Sequence, residues 1–337
     1  MGNVENLTCG QSTKNHPVPI APRSADADKT KHGKTVFLFS GQGAQYAGMG
    51  SDLYNSPAAR KVFKIADKIR PGTIEQCFFG TAEELAKTEN TQPCLYCVDL
   101  AAAEALKEAG VNADMLVGFS LGELAALAFS GAVTYEDGFK LVCRRAKLMN
   151  KAAMGIDSGM VAVLKLSDSQ VTAICSEFKN IHPVNFNCEG QVVVAGIKNE
   201  LEQFVFRIKE IGGRTVQLKV SGAFHSPLMD SAATGFLRIL SECEIGEPRL
   251  PVYSNFNAKP YKGDDAKELL AKQICSPVLW SEAIKNMILA GANTFIEVGP
   301  GKTLCGLVSR ISNEVRVFNV EDCKSLKNTV EGVISIA

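Results

Sequence analysis

The sequence predicts an α/β fold in two parts: a large domain on a mainly parallel sheet, and a small ferredoxin-like subdomain inserted into it. Three observations carry this expectation. Short apolar runs alternate with helical patterns through most of the chain, as they do where helices cover both faces of a parallel sheet. Residues 158–221 break that rhythm with a β-α-β-β-α-β order, the split pattern of a ferredoxin-like unit. Strand–helix units then resume, so the unit is an insert. With 337 residues, 46% hydrophobic and 21% charged, the chain has enough apolar material for a sizeable core.

In chain order, residues 1–33 are polar and rich in Asn, Lys, Pro and Asp, without the apolar stretch of a secretory signal; they read as a disordered leader. The large domain is expected over 34–157 and 222–337, and the small one over 158–221. The run 36–39 (VFLF), closed by Ser40-Gly41-Gln42-Gly43, reads as a buried strand ending in a tight loop. Helical patterns follow to about residue 110. A second buried strand at 115–118 leads into a helix from Leu121, and 135–153 form another helix. In the insert, strands are expected at 160–166, 182–187, 191–195 and 214–220, with helices at 167–178 and 198–212. Further strands are expected at 251–254, 294–298 and 315–318.

Composition excludes some functions. Lys+Arg and Asp+Glu are both 36, giving zero formal charge, whereas a nucleic-acid binder needs a basic footprint. No apolar run approaches the length of a membrane span. The eleven cysteines are odd in number and scattered through apolar stretches, as in reduced, core-filling use in a cytoplasmic protein. The single C-x-x-C, Cys94 to Cys97, has no second pair and no histidine at ligand spacing, which favours packing over zinc or redox use. No metal site is expected.

Gly118-Phe119-Ser120-Leu121-Gly122 matches G-x-S-x-G between an expected strand and helix. There the glycines permit a sharp turn that exposes the Ser120 hydroxyl, and the helix start offers free N–H groups, with Leu121 as a natural oxyanion donor. A serine nucleophile needs a base. Of the four histidines, His16 and His32 fall in the leader. His182 opens a strand of the insert, and His225 stands where the chain leaves the insert, before Ser226 and Pro227, a good N-cap and first helical residue. Seams between domains form clefts, which favours His225. No histidine follows it, so the order Ser, acid, late His of simple esterases is absent. At helical spacing Arg144 joins Lys140, Lys147 and Lys151 on a charged face, while Arg145 joins Leu141, Val142, Leu148 and Met149 on the apolar one. A cation there needs an anion: either a structural Asp or Glu, or a substrate carboxylate held bidentately.

Together these motifs resemble the acyltransferases of fatty-acid and polyketide synthesis, the malonyl-CoA–acyl carrier protein transacylases above all, over roughly residues 35–320. The landmarks also include Phe39-Ser40-Gly41-Gln42-Gly43-Ala44-Gln45, Thr91-Gln92-Pro93, Asn185-Phe186-Asn187, Gly222-Ala223-Phe224-His225-Ser226-Pro227 and Glu297-Val298-Gly299-Pro300-Gly301. The resemblance implies a hydrolase-like large domain. It implies Ser120 as acylated nucleophile, His225 as base, the main-chain carbonyl of Gln273 in place of an acidic third residue, and the N–H groups of Gln42 and Leu121 as the oxyanion site. It further implies Arg145 as clamp for the acyl carboxylate and Gln92 as a site-lining residue. Substrates would be malonyl-CoA and the phosphopantetheine thiol of acyl carrier protein, without a metal or redox cofactor. A monomer is expected. Related readings are an acyltransferase serving a polyketide synthase in trans and an acyl-thioester hydrolase. The Lys140, Arg144, Lys147, Lys151 face is a candidate dock for an acidic carrier protein. Many family members carry histidine where this chain has Phe119, and Ala223-Phe224-His225 resembles the malonyl-selective form.

Overall fold

The apolar run at 36–39 becomes the centre of strand β1 (Lys34–Phe39), wholly buried over its last four residues. The computed structural model describes residues 33–262 and 265–335; the leader expected over 1–33 lies outside them but for Gly33. After β1 come helices α1 (Pro57–Ile69), α2 (Thr73–Phe79), α3 (Ala82–Ala86) and α4 (Thr88–Glu108). Strand β2 (Met115–Gly118), α5 (Gly122–Phe129) and α6 (Tyr135–Met154) follow. The insert contributes β3 (Ser158–Leu164), α7 (Asp168–Cys175), β4 (Ile181–Cys188), β5 (Gln191–Ile197), α8 (Lys198–Glu210) and β6 (Arg214–Gln217). The chain ends with α9 (Asp230–Ser241), β7 (Val252–Tyr253), α10 (Ala266–Cys275), α11 (Trp280–Leu289), β8 (Ala292–Val298), α12 (Thr303–Ile311), β9 (Arg316–Val320) and α13 (Cys323–Ile334).

The large sheet is parallel throughout, in the order β7-β2-β1-β8-β9. Its central strands read as continuous apolar runs because helices cover both faces. The small sheet is antiparallel, in the order β4-β5-β3-β6, the ferredoxin-like arrangement expected of a β-α-β-β-α-β unit. Strand alternation gives its two faces different neighbours. Val161, Val163, Val192 and Val194 pack with Leu201, Phe204 and Ile208 of α8 in a private core. Met160, Ala162, Val193 and Ala195 point the other way, into the main core of the large sheet and its helices.

Pro93 is the sixth residue of α4, which begins at Thr88, so its missing N–H costs the helix one ladder bond, to the Glu89 carbonyl. One local expectation is corrected. Ser226 does not cap the following helix. Its hydroxyl turns back to donate to the Ala223 carbonyl at 2.6 Å, and Pro227–Met229 form a 3₁₀ turn before α9. Cys94 and Cys97 are fully buried on α4 within the main core.

Candidate active site

The site forms where the carboxyl ends of β1 and β2 meet the seam between the two sheets. Strand β2 stops at Gly118 and α5 starts at Gly122, which leaves three residues to reverse the chain. A Cβ on Gly118 would meet the Gly122 carbonyl carbon at 1.8 Å, and one on Gly122 would meet the Phe39 carbonyl oxygen at 2.3 Å, so only glycine permits this turn. Ser120 takes a φ of 54°, in the left-handed region that non-glycine residues enter at a cost. Asn255, just after β7, straddles it: Ser120 N–H donates to Asn255 Oδ1 at 2.6 Å, and Asn255 Nδ2 donates to the Gly118 carbonyl at 2.7 Å.

His225 also has a positive φ, 62°. Its main-chain N–H donates to the Ile274 carbonyl at 3.1 Å, and its Nδ1 lies 2.7 Å from the Gln273 carbonyl oxygen. A carbonyl only accepts, so Nδ1 carries the proton and Nε2 presents a lone pair. That lone pair faces Ser120 Oγ at 2.7 Å. The last turn of α10 has carbonyls without helical partners, and β4 holds that segment in place: Val278 N–H donates to Val184 O at 2.8 Å, and Phe186 N–H to Val278 O at 3.0 Å. Burial, followed by the neighbouring Arg145 cation, brings the His225 imidazole down to about 4, so it stands neutral and able to accept a proton.

Arg145 is 1% exposed. Its Nη1 donates to Gln92 Oε1 at 2.8 Å, and its Nη2 to Gln273 Oε1 at 2.8 Å and to Ser120 Oγ at 3.1 Å. Of the two partners left open from sequence, the structural ion pair is not found: no Asp or Glu forms a salt bridge with Arg145 among the described residues. Burial lowers it to about 10, while Glu123 works in the opposite direction; it remains a cation near neutral pH. The main-chain N–H groups of Gln42 and Leu121 make no hydrogen bond among the described residues, so both remain available as donors.

Ser120, His225, Gln273, Arg145 and Gln92 thus converge. His182 does not join them; it pairs with Ala195 across the small sheet. His16 and His32 lie outside the described residues. Phe119 turns away from the nucleophile and packs on Trp280, ring centroids 5.3 Å apart. Sequence reading missed Asn255, Glu123 and Tyr261. Glu123 is fully buried and accepts from Gln273 Nε2 at 2.7 Å, from Asn255 N–H at 3.1 Å and from the Tyr261 hydroxyl. An acid three residues beyond a candidate nucleophile was the one available signal.

A neutral imidazole on a strained, largely buried serine, oriented by a carbonyl and beside a buried cation, is an arrangement suited to acyl transfer on an α/β scaffold. The chain belongs to the acyl transferase domain family, which matches residues 36–328, and within it to the malonyl-CoA–acyl carrier protein transacylases. It is 38% identical over 306 residues to the malonyl CoA-acyl carrier protein transacylase of Bacillus subtilis, covering 88% of this chain and 96% of that protein. The solved malonyl CoA-acyl carrier protein transacylase of Clostridium perfringens superposes with a TM-score of 0.87 at 40% identity, over 90% of this chain and 98% of that one. A malonyl-transacylase solved in complex with its type II polyketide synthase acyl-carrier protein gives 0.86 at 32% identity, over 89% and 99%.

Proposed function

We propose that the chain moves a malonyl group from malonyl-CoA to the phosphopantetheine thiol of acyl carrier protein through a malonyl ester on Ser120. Ser120 Oγ attacks the thioester carbonyl as His225 Nε2 takes its proton. The N–H groups of Gln42 and Leu121 hold the resulting oxyanion, each such donor contributing roughly 3–4 kcal/mol. The C–S bond breaks, and coenzyme A leaves with the proton from His225. The carrier thiol then loses its proton to His225, attacks the ester and regenerates Ser120. The Gln273 carbonyl keeps the imidazole in the tautomer this requires. Arg145 takes the free carboxylate of the acyl group, and Gln92 holds one arm of the guanidinium for it.

The observation that carries this reading is one hydroxyl contacted both by the His225 lone pair and by an arginine without an ion-pair partner. Neutral acyl groups need no such cation, which sets the hydrolase reading aside. Intact mass after incubation with malonyl-CoA should show a malonyl adduct on the native chain and none on Ser120→Ala; an undiminished adduct on the variant overturns the assignment. Arg145→Ala should lower malonyl loading by orders of magnitude more than acetyl loading, whereas equal losses would make Arg145 structural.

For the carrier we favour the exposed α6 face of Lys140, Arg144, Lys147 and Lys151, beside a cleft lined by Arg60, Lys61, Lys64 and Lys68. A panel of fatty-acid and polyketide carriers would separate the two pathways, and the relative solved with a polyketide carrier makes the second arm worth including. Cysteines that are free among the described residues support a cytoplasmic setting, and we read the chain as a monomer.

A further inference from the structure

A buried cation held only by neutral groups lacks a counter-charge, and the low-dielectric interior makes that lack costly. Gln273 shows where the counter-charge lies. Its side-chain carbonyl accepts from Arg145 Nη2 at 2.8 Å, while its NH₂ donates to Glu123 Oε2 at 2.7 Å. The carboxamide therefore stands between a guanidinium and a carboxylate with its dipole aligned to both, and its O and N are assigned by those partners. Glu123 is fully buried. The charged and titratable groups that face it are Arg145 of α6 through Gln273, and Tyr261 before α10, itself influenced by Asp265. His225 meets Arg145 from the other side.

This arrangement has a consequence for substrate. An acyl group ending in a carboxylate brings a second anion to a buried site that holds one cation. One of the two anions must then be neutralised. The substrate carboxylate would be paired directly with Arg145, whereas Glu123 is one amide removed from it. Burial has already pushed the Glu123 carboxyl up to about 7, against hydrogen bonds from Tyr261, Gln273 and Asn255.

We propose that Glu123 is the resting counter-charge of Arg145, relayed by the Gln273 carboxamide, and that it takes up one proton from solvent when an acyl carboxylate occupies Arg145. The ionisation of Glu123 thereby sets the pH range over which Arg145 prefers carboxylate-ended to neutral acyl groups. This rests on the reading of Arg145 as the carboxylate clamp.

The test is single-turnover loading of the full chain with malonyl-CoA and with acetyl-CoA from pH 6 to 9, expressed as the ratio of the two kcat/KM values. Titration of His225 and of coenzyme A is common to both donors and cancels. The ratio should be level at the acid end and fall above about pH 7, approaching about tenfold per pH unit, as expected for uptake of one proton. Glu123→Gln should hold the acid-end ratio at every pH. Tyr261→Phe, which removes a donor to the carboxylate, should move the fall to higher pH. Should both variants fail to fold, the native profile alone decides. A native ratio that is flat from pH 6 to 9 overturns the relay. If Arg145→Ala still abolishes malonyl preference in that case, the clamp survives its loss. If Arg145→Ala leaves the preference intact, the clamp itself is wrong.

Discussion

Two residues with left-handed backbones face one another in this site. Ser120 and His225 have φ values of 54° and 62°, and each is held there by partners distant in sequence. His225 is the clearer case for a pH prediction. Its burial, and secondarily the Arg145 charge, hold the imidazole at about 4 against an ordinary 6.5. In the proposed mechanism only the neutral form accepts the Ser120 proton, so acetyl loading should be level through pH 6–8 and fall as acid protonates the ring near pH 4. In Arg145→Ala the repulsive cation is gone while burial remains. The acid limb of acetyl loading should therefore move up toward 6.5 without reaching it. Stopped-flow loading with acetyl-CoA across pH 3.5–7 checks this, and an unmoved limb would show that the arginine charge does not reach the imidazole. At this scale the sequence revealed residues whose chemistry is marked by local pattern: Ser120 by its flanking glycines, His225 by elimination, Arg145 by its place on an apolar helix stripe. Asn255 and Tyr261 carry no such mark. Their bonds to Ser120 and Glu123 span 135 and 138 residues, and only the folded chain brings them there.

Elements were legible where a period was long or a terminator strong. The parallel strands β1, β2 and β8 and the amphipathic α6 followed from apolar runs and spacing, whereas β6 and β7 came out shorter than expected and α4 ran through its proline. The junction of β1, β2 and α5 is the element-level feature on which the site depends, because three backbones touch there. Gly118→Ala and Gly122→Ala each drive a methyl group into main-chain atoms, which cannot yield as a side chain would. Each should cost about 1–3 kcal/mol or more by overpacking and should abolish loading as the turn deforms. Gly306 is the control. It lies exposed in α12, with nothing within 4 Å of where a methyl group would sit, so Gly306→Ala should gain up to about 1 kcal/mol of helix propensity. Urea unfolding midpoints of the three variants would separate close backbone contact from helix propensity. A neutral Gly122→Ala would mean that the turn has slack the distances do not show.

At the scale of the whole molecule, the insert raises the question of whether it folds alone. Chains of this length with two sheets commonly unfold in steps. Here the small sheet has a private core on one face only. Its other face, with Met160, Ala162, Val193 and Ala195, is part of the core that also contains Phe37, Leu116 and Phe139 of the large domain. Released alone, the insert would expose that face to water, and the last turn of α10, which orients His225, would lose its hold on β4. The two parts should therefore unfold as one, with a single calorimetric transition whose measured and van't Hoff enthalpies agree. Neighbouring positions on β5 provide the sharper test. Val193→Ala removes two methyl groups from the shared face and Val194→Ala two from the private face, each costing about 2 kcal/mol. Under one cooperative transition both variants lower the same Tm by similar amounts, and loading survives at temperatures below it. If the insert unfolds on its own, Val194→Ala will split off an early transition that Val193→Ala does not, and activity will be lost at that first step.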